Sequence, residues 1–117
     1  MKKIYHLKTC STCAKILKEV KPGKEVELQD IKTEKITPAQ LDEMAKLSGS
    51  YESLFSRKSL KYRSLGLADK KLTEKDYRKL ILEEYTFLRR PVGIVGNEIF
   101  IGNAKVATEG LKNKLKK

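Results

Sequence analysis

The stretch YHLKTCSTCAKIL, residues 5–17, holds both cysteines of the chain, Cys10 and Cys13. They stand between two runs of different period. Lys3 to Leu7 is short and β-prone, a first strand. Beyond the cysteines Ala14, Ile16, Leu17 and Val20 recur at helical spacing, and Pro22-Gly23 stops that run. Glu25 to Ile31 alternates polar and apolar residues, the mark of a second strand. Strand, helix and strand in this order predict a parallel pair joined by a right-handed crossover, with the cysteines at the first strand-to-helix turn.

The middle of the chain has a different character. Thr37-Pro38 opens a helix carrying Leu41, Met44, Ala45 and Leu47, and Gly49 closes it. Tyr51 to Phe55 predicts a short helix, and Leu60 to Leu67 a less regular connection broken at Gly66. Thr73, with Asp76 three residues on, resembles a capping box for a helix bearing Tyr77, Leu80, Ile81 and Tyr85. Strands then return: Pro91 to Val95 and Glu98 to Ile101 flank Gly96-Asn97, a hairpin signature. Asn103 caps a last helix with Val106, Ala107, Leu111 and Leu115 on its apolar face. The order βαβ, helices, ββα predicts one α/β domain over residues 1–117, a mixed sheet with a helical insertion at 37–86.

Composition bounds the function classes. A chain of 117 residues suits one core, and its 39% hydrophobic content can build it. Apolar runs such as Val92 to Val95 fall far below the ~18 residues that span a bilayer. The lysines at the N-terminus have no apolar stretch behind them, so a cytoplasmic protein without membrane contact is expected. The balance of 26 Lys+Arg against 15 Asp+Glu gives a net charge of +11. That charge fits either anionic partners or a diffuse, solvated lysine coat. Direct nucleic-acid binding is not expected: there is no readable recognition helix, and the aromatics are not interleaved with arginine.

Three readings of the cysteine pair stand side by side. A structural zinc site wants four Cys or His ligands, and the chain offers Cys10, Cys13 and His6, so no metal is expected. Two small buried thiols need no function at all. A redox pair has a mechanism. A cysteine opening a helix meets unpaired N–H groups and the positive end of the macrodipole, which lower a thiol's pKa. Ser11 and Thr12 add hydroxyl donors, and Cys13 lies close enough to resolve a mixed disulfide. Far along the chain, LRRPV at 88–92 places Arg90 before Pro91, a candidate for a cis peptide bond. Arg89 and Arg90 read equally as surface charges or, for Arg90, as a clamp for an anion.

With these stretches in place, the chain resembles the family that joins glutaredoxin-linked arsenate reductases and Spx-type transcriptional regulators. Three segments in order carry the likeness: YHLKTCSTCAKIL (5–17), LFSRKSLKYRSLGL (54–67) and FLRRPVGIVGNEIFIG (87–102). The resemblance implies a thioredoxin-like fold interrupted by a helical insertion. It makes Cys10 the nucleophile, Arg90 the oxyanion-binding arginine and Pro91 the cis proline. Cys13 corresponds to the second cysteine of the regulators. Two positions depart from the reductases. In the middle motif Ser56 stands where they carry an arginine, and Arg57 could serve only with a shift of the loop. After the hairpin the chain reads Gly102-Asn103-Ala104-Lys105, without arginine. The resemblance thus implies a thiol-dependent oxidoreductase with Cys10 as nucleophile and Cys13 as resolving cysteine, while the residues disfavour arsenate as its substrate. No bound cofactor is implied. Glutathione, glutaredoxin or thioredoxin would be the reductant. The alternative is a redox-switched regulator that binds RNA polymerase.

Overall fold

The computed structural model describes residues 2–115. The chain divides into two compact units: residues up to Lys35 together with those from Arg90 onward, and Ile36–Arg89. The second unit takes in the whole 37–86 segment. It also takes 87–89, because the Ser56 N–H donates to the Phe87 carbonyl at 2.6 Å and the Arg89 N–H to the Leu54 carbonyl at 2.8 Å.

The first unit is a four-stranded sheet with two helices. Its elements are β1 (Lys2–His6), α1 (Ser11–Val20), β2 (Glu27–Asp30), β3 (Val92–Val95), β4 (Glu98–Ile101) and a C-terminal helix (Lys105–Leu115). The strand order is β2-β1-β3-β4, with β1 and β2 parallel and the β1–β3 and β3–β4 pairs antiparallel. Each strand was legible as a run of alternating or β-branched residues. The βαβ…ββα order of a mixed α/β sheet is the one expected.

The core of this unit lies between the sheet and the two helices. Ile4, Ile16, Val20, Val26 and Leu111 bury themselves there, with Leu17, Val95, Phe100 and Leu115 packed against them. Gly93, opposite Ile4 on β1, leaves the space that Leu111 fills: a Cβ at Gly93 would stand 2.8 Å from both Leu111 methyls.

Some expectations need correction. The second strand is shorter than Glu25–Ile31, and its alternation does not decide burial. Leu28 is 47% exposed while Gln29 is 1% exposed. β2 is an edge strand, so Leu28 lies at the rim of the apolar face. Gln29 stays buried because its side-chain amide donates to the Glu34 carbonyl at 2.9 Å. At the last helix the N-cap place falls to Ala104, whose carbonyl accepts from the Thr108 N–H. Asn103 lies one residue outside the cap, and Val106 is exposed rather than on the apolar face.

The second unit is helical: α2 (Pro38–Ser48), α3 (Leu60–Ser64) and α4 (Glu74–Glu83), joined by single 3₁₀ turns. With these in place the C-terminal helix is α5. The capping box expected at Thr73 forms, and the Thr37 cap proves to be a second one. Thr37 accepts from the Gln40 N–H at 3.1 Å while Gln40 accepts from the Thr37 N–H at 3.0 Å; Thr73 and Asp76 repeat the pattern. The shorter Asp side chain therefore serves where Glu is usual. Phe55 centres the packing, stacked on Phe87 at 5.0 Å and tilted against Tyr77 at 4.9 Å. The Leu60–Leu67 segment, expected to be irregular, contains a regular turn of helix, α3. Ser59 starts it by accepting from the Lys61 N–H at 3.2 Å.

Candidate functional site

β1 delivers the chain to the cysteines. After His6 a turn closes with the Cys10 N–H donating to the Leu7 carbonyl at 3.0 Å, and the Cys10 carbonyl accepts from Ala14 at 3.0 Å to begin α1. Asp30, at the end of the neighbouring β2, anchors this loop. Its carboxylate accepts from the Lys8 N–H, the Lys32 N–H and the Thr33 hydroxyl, each at 3.3 Å. Despite the cost of leaving water, these bonds and His6 hold Asp30 below the usual carboxylate range. His6, paired with Asp30 in the strand register, is lowered chiefly by its own burial. Asp30 escaped the sequence reading, although an Asp followed closely by a Thr at a strand end is a turn signal.

Cys10 occupies the N-cap of α1 in extended conformation, φ −88° and ψ 116°. Its sulfur closes no full capping hydrogen bond, yet it lies in the field of the first helical turn. Partial burial raises the thiol's pKa. Against it work the Cys13 N–H, the Cys13 thiol, the Thr12 N–H and the Arg90 charge, and together they carry Cys10 below its ordinary value. The Thr12 contribution comes from the main chain. Ser11 is exposed on the first turn. Cys13 is fully buried, and burial, with the negative charge of Cys10 beside it, pushes its thiol up to about 11. The two sulfurs therefore differ in kind. The Cys10 thiol is eased towards its thiolate form, while Cys13 is held as a thiol that donates to it.

Arg90 opens the segment leading into β3, and the Arg90–Pro91 peptide bond is cis. Because β3 pairs with β1, Arg90 comes to the cysteine end of the sheet, and its charge acts on both Cys10 and Cys13. Arg57 belongs to the second unit. Its guanidinium donates to Glu52 Oε2 at 2.9 Å and to the Tyr77 hydroxyl at 3.0 Å.

Beside the cysteine turn lies a cleft. β1 and β4 both run antiparallel to β3 and hence parallel to each other, so α1 and α5 start at the same end of the sheet and pack side by side. Between them opens a volume of about 510 Å³, lined by Thr12, Lys15 and Glu19 of α1 and by Lys105, Thr108 and Glu109 of α5. These four charged residues make no ion pair among the described residues. Lys15–Glu19 and Lys105–Glu109 share one spacing, so each helix presents a cation towards the Cys10 end and an anion a turn further on. That repeated spacing was the sequence signal for the cleft, and it went unread. Among the described residues no helix is long and apolar enough to cross a membrane.

No curated protein matches the sequence. Solved structures do. The chain is similar to the YFFB protein, with 22% identity over 98% of this chain and 99% of that one, at a TM-score of 0.79. It is similar to an arsenate reductase from Vibrio cholerae, with 17% identity over 97% of each chain, at a TM-score of 0.78. A Staphylococcus aureus protein known from solution NMR shares 28% identity over 94% of this chain and 97% of its own, at a TM-score of 0.71. These likenesses establish the thioredoxin-like fold. The model of the ArsC family matches residues 5–108, which contain both cysteines, Arg90 and Pro91, and on that match the chain belongs to the ArsC family.

Proposed function

We propose that this protein is a thiol-dependent oxidoreductase whose substrate is a disulfide, with Cys10 as nucleophile and Cys13 as resolving cysteine. Family membership supports thiol-oxidoreductase chemistry in general terms. The observation that carries the specific reading is the opposite displacement of two adjacent thiols, Cys10 downward and Cys13 upward. A thiolate attacks; a neighbouring protonated thiol stabilises it and waits. In the first step Cys10 Sγ bonds to one sulfur of the substrate disulfide and the other sulfur leaves as thiolate. Cys13 then gives up its proton and attacks Cys10 Sγ. The Cys10–Cys13 disulfide forms, the second substrate thiol leaves, and the protein has donated two electrons. A reductant, either two glutathione molecules or a dithiol protein of the thioredoxin or glutaredoxin type, restores the pair. The cleft beside Cys10 supports glutathione: Lys15 and Lys105 suit its carboxylates, and Glu19 and Glu109 its ammonium.

Arsenate is the less favoured substrate. Among the described residues Arg90 is the arginine whose charge acts on Cys10, while Arg57 is engaged by Glu52 and Tyr77. A second reading, the redox-switched regulator acting through RNA polymerase, uses the same disulfide and draws support from the +11 charge.

The test is a panel of glutathione mixed disulfides, protein disulfides and arsenate, each with glutathione/glutaredoxin or thioredoxin as reductant. Turnover with disulfides that is abolished by Cys10→Ser and slowed by Cys13→Ala is the expected result. Stoichiometric Cys10–Cys13 oxidation without turnover on any substrate would overturn the enzyme reading and leave the switch.

A further inference from the structure

The second unit carries a surface that the thiol chemistry does not use. α3, Leu60–Ser64, has no buried residue. A helix on a globular protein normally hides one stripe of its surface, and this one half-hides Tyr62 alone. It is held instead from its ends and one side. Ser59 caps it and is hydrogen-bonded to the Thr86 hydroxyl at 2.7 Å, and the Tyr62 ring stands edge-on to Phe55 at 5.9 Å. So fixed, it presents Leu60, 87% exposed, with Leu65 just beyond its end at 52%. They are two of the four exposed large hydrophobic residues among those described.

A pocket of about 520 Å³ opens beside this helix, lined by Arg57, Lys58, Leu60, Tyr62 and Arg63 among others, and no carboxylate lines it. Glu52 offsets Arg57. Lys58 and Arg63, with Lys61 on the same helix, form no ion pair among the described residues. Cations and apolar side chains thus alternate over one short stretch, Lys58-Ser59-Leu60-Lys61-Tyr62-Arg63-Ser64-Leu65.

We propose that this surface docks an acidic segment of a partner protein that carries an aliphatic or aromatic side chain between its carboxylates. The unpaired cations complement carboxylates. The exposed leucines need an apolar partner, which a phosphate backbone does not supply. The one aromatic ring in the lining is engaged with Phe55, so it offers no free platform for stacking a base. An acidic peptide with an apolar anchor matches both halves of the surface; a nucleic acid matches one.

The experiment is fluorescence anisotropy with the full chain and a short labelled peptide of alternating Glu and Ser around a central Leu. Its competitors are the same peptide with Leu→Gly and a single-stranded oligonucleotide of matched charge. The expected result is saturable binding that weakens with salt. It should fall roughly tenfold or more on Lys58→Glu, Arg63→Glu, Leu60→Ala or loss of the peptide's leucine. An unchanged far-UV circular dichroism spectrum and urea unfolding midpoint in each variant report an intact fold. Three results overturn the proposal: no binding, equal binding of the anchorless peptide or by the variants, or displacement of the peptide by the oligonucleotide at lower concentration.

Discussion

Gly93→Ala tests the packing that ties β3 to α5. The added Cβ would stand 2.8 Å from both Leu111 methyls and 3.3 Å from its Cγ. Leu111 is 2% exposed, so it has no open side to turn towards. Overpacking of this kind costs roughly 1–3 kcal/mol, and contact with three carbons at once argues for the upper half. Alanine regains about 0.5–1 kcal/mol over glycine in a strand. The net expectation is a loss of about 1.5–2 kcal/mol. In urea, with a slope near ~1.5 kcal/mol/M, this lowers the unfolding midpoint by about 1 M. Leu111→Ala alone should cost about 2–5 kcal/mol. In that background the clash is gone and the new methyl partly fills the cavity. Gly93→Ala should then change sign, stabilising by roughly 0.5 kcal/mol. The double-mutant cycle by urea denaturation is the assay. Additive effects, or a Gly93→Ala loss that persists without the Leu111 side chain, would falsify the packing argument.

Two further predictions concern the thiols. The rate of Cys10 alkylation should rise with pH through a midpoint below the ordinary 9.0; the Cys13 side chain acts more strongly on Cys10 than Arg90 does, so Cys13→Ala should raise that midpoint more than Arg90→Met. A midpoint unmoved or lowered by Arg90→Met refutes the guanidinium's part. Cys13 keeps its proton up to about 11 in the folded state against 9.0 unfolded. Between those values the native chain holds more protons, so the reduced protein loses stability as pH rises. The loss approaches roughly 3 kcal/mol, about two pH units at ~1.36 kcal/mol each. Denaturation of reduced wild type against Cys13→Ala across this window isolates the effect from lysine titration, and identical pH slopes would refute it.

The elements were legible where local chemistry alone chooses them. Thr37 and Thr73 announce helices through caps that form within four residues, and Gly96-Asn97 announces a hairpin through its own turn geometry. The strand-to-helix setting of Cys10 was equally local, and so was the helical turn that acts on its thiol. Legibility failed where a residue's state depends on distant chain. Leu28 and Gln29 exchange their expected burial because β2 lies at the sheet edge and Glu34 supplies an acceptor. Val106 faces solvent because α5 presents Leu111 to Gly93.

By itself, then, the sequence determined the βαβ…ββα order, the caps and the place of two thiols at the mouth of a helix, because those follow from backbone preferences over a few residues. Tertiary structure alone decided that the thiols are unlike. Burial makes Cys13 hold its proton, and strand pairing between β1 and β3 brings the Arg90 charge to bear across eighty residues of chain. It also decided that α1 and α5 run side by side with Lys15, Glu19, Lys105 and Glu109 along one cleft, since only the sheet order makes β1 and β4 parallel. Solvation and electrostatic fields depend on what stands nearby in space, and neighbours in space are not neighbours in sequence.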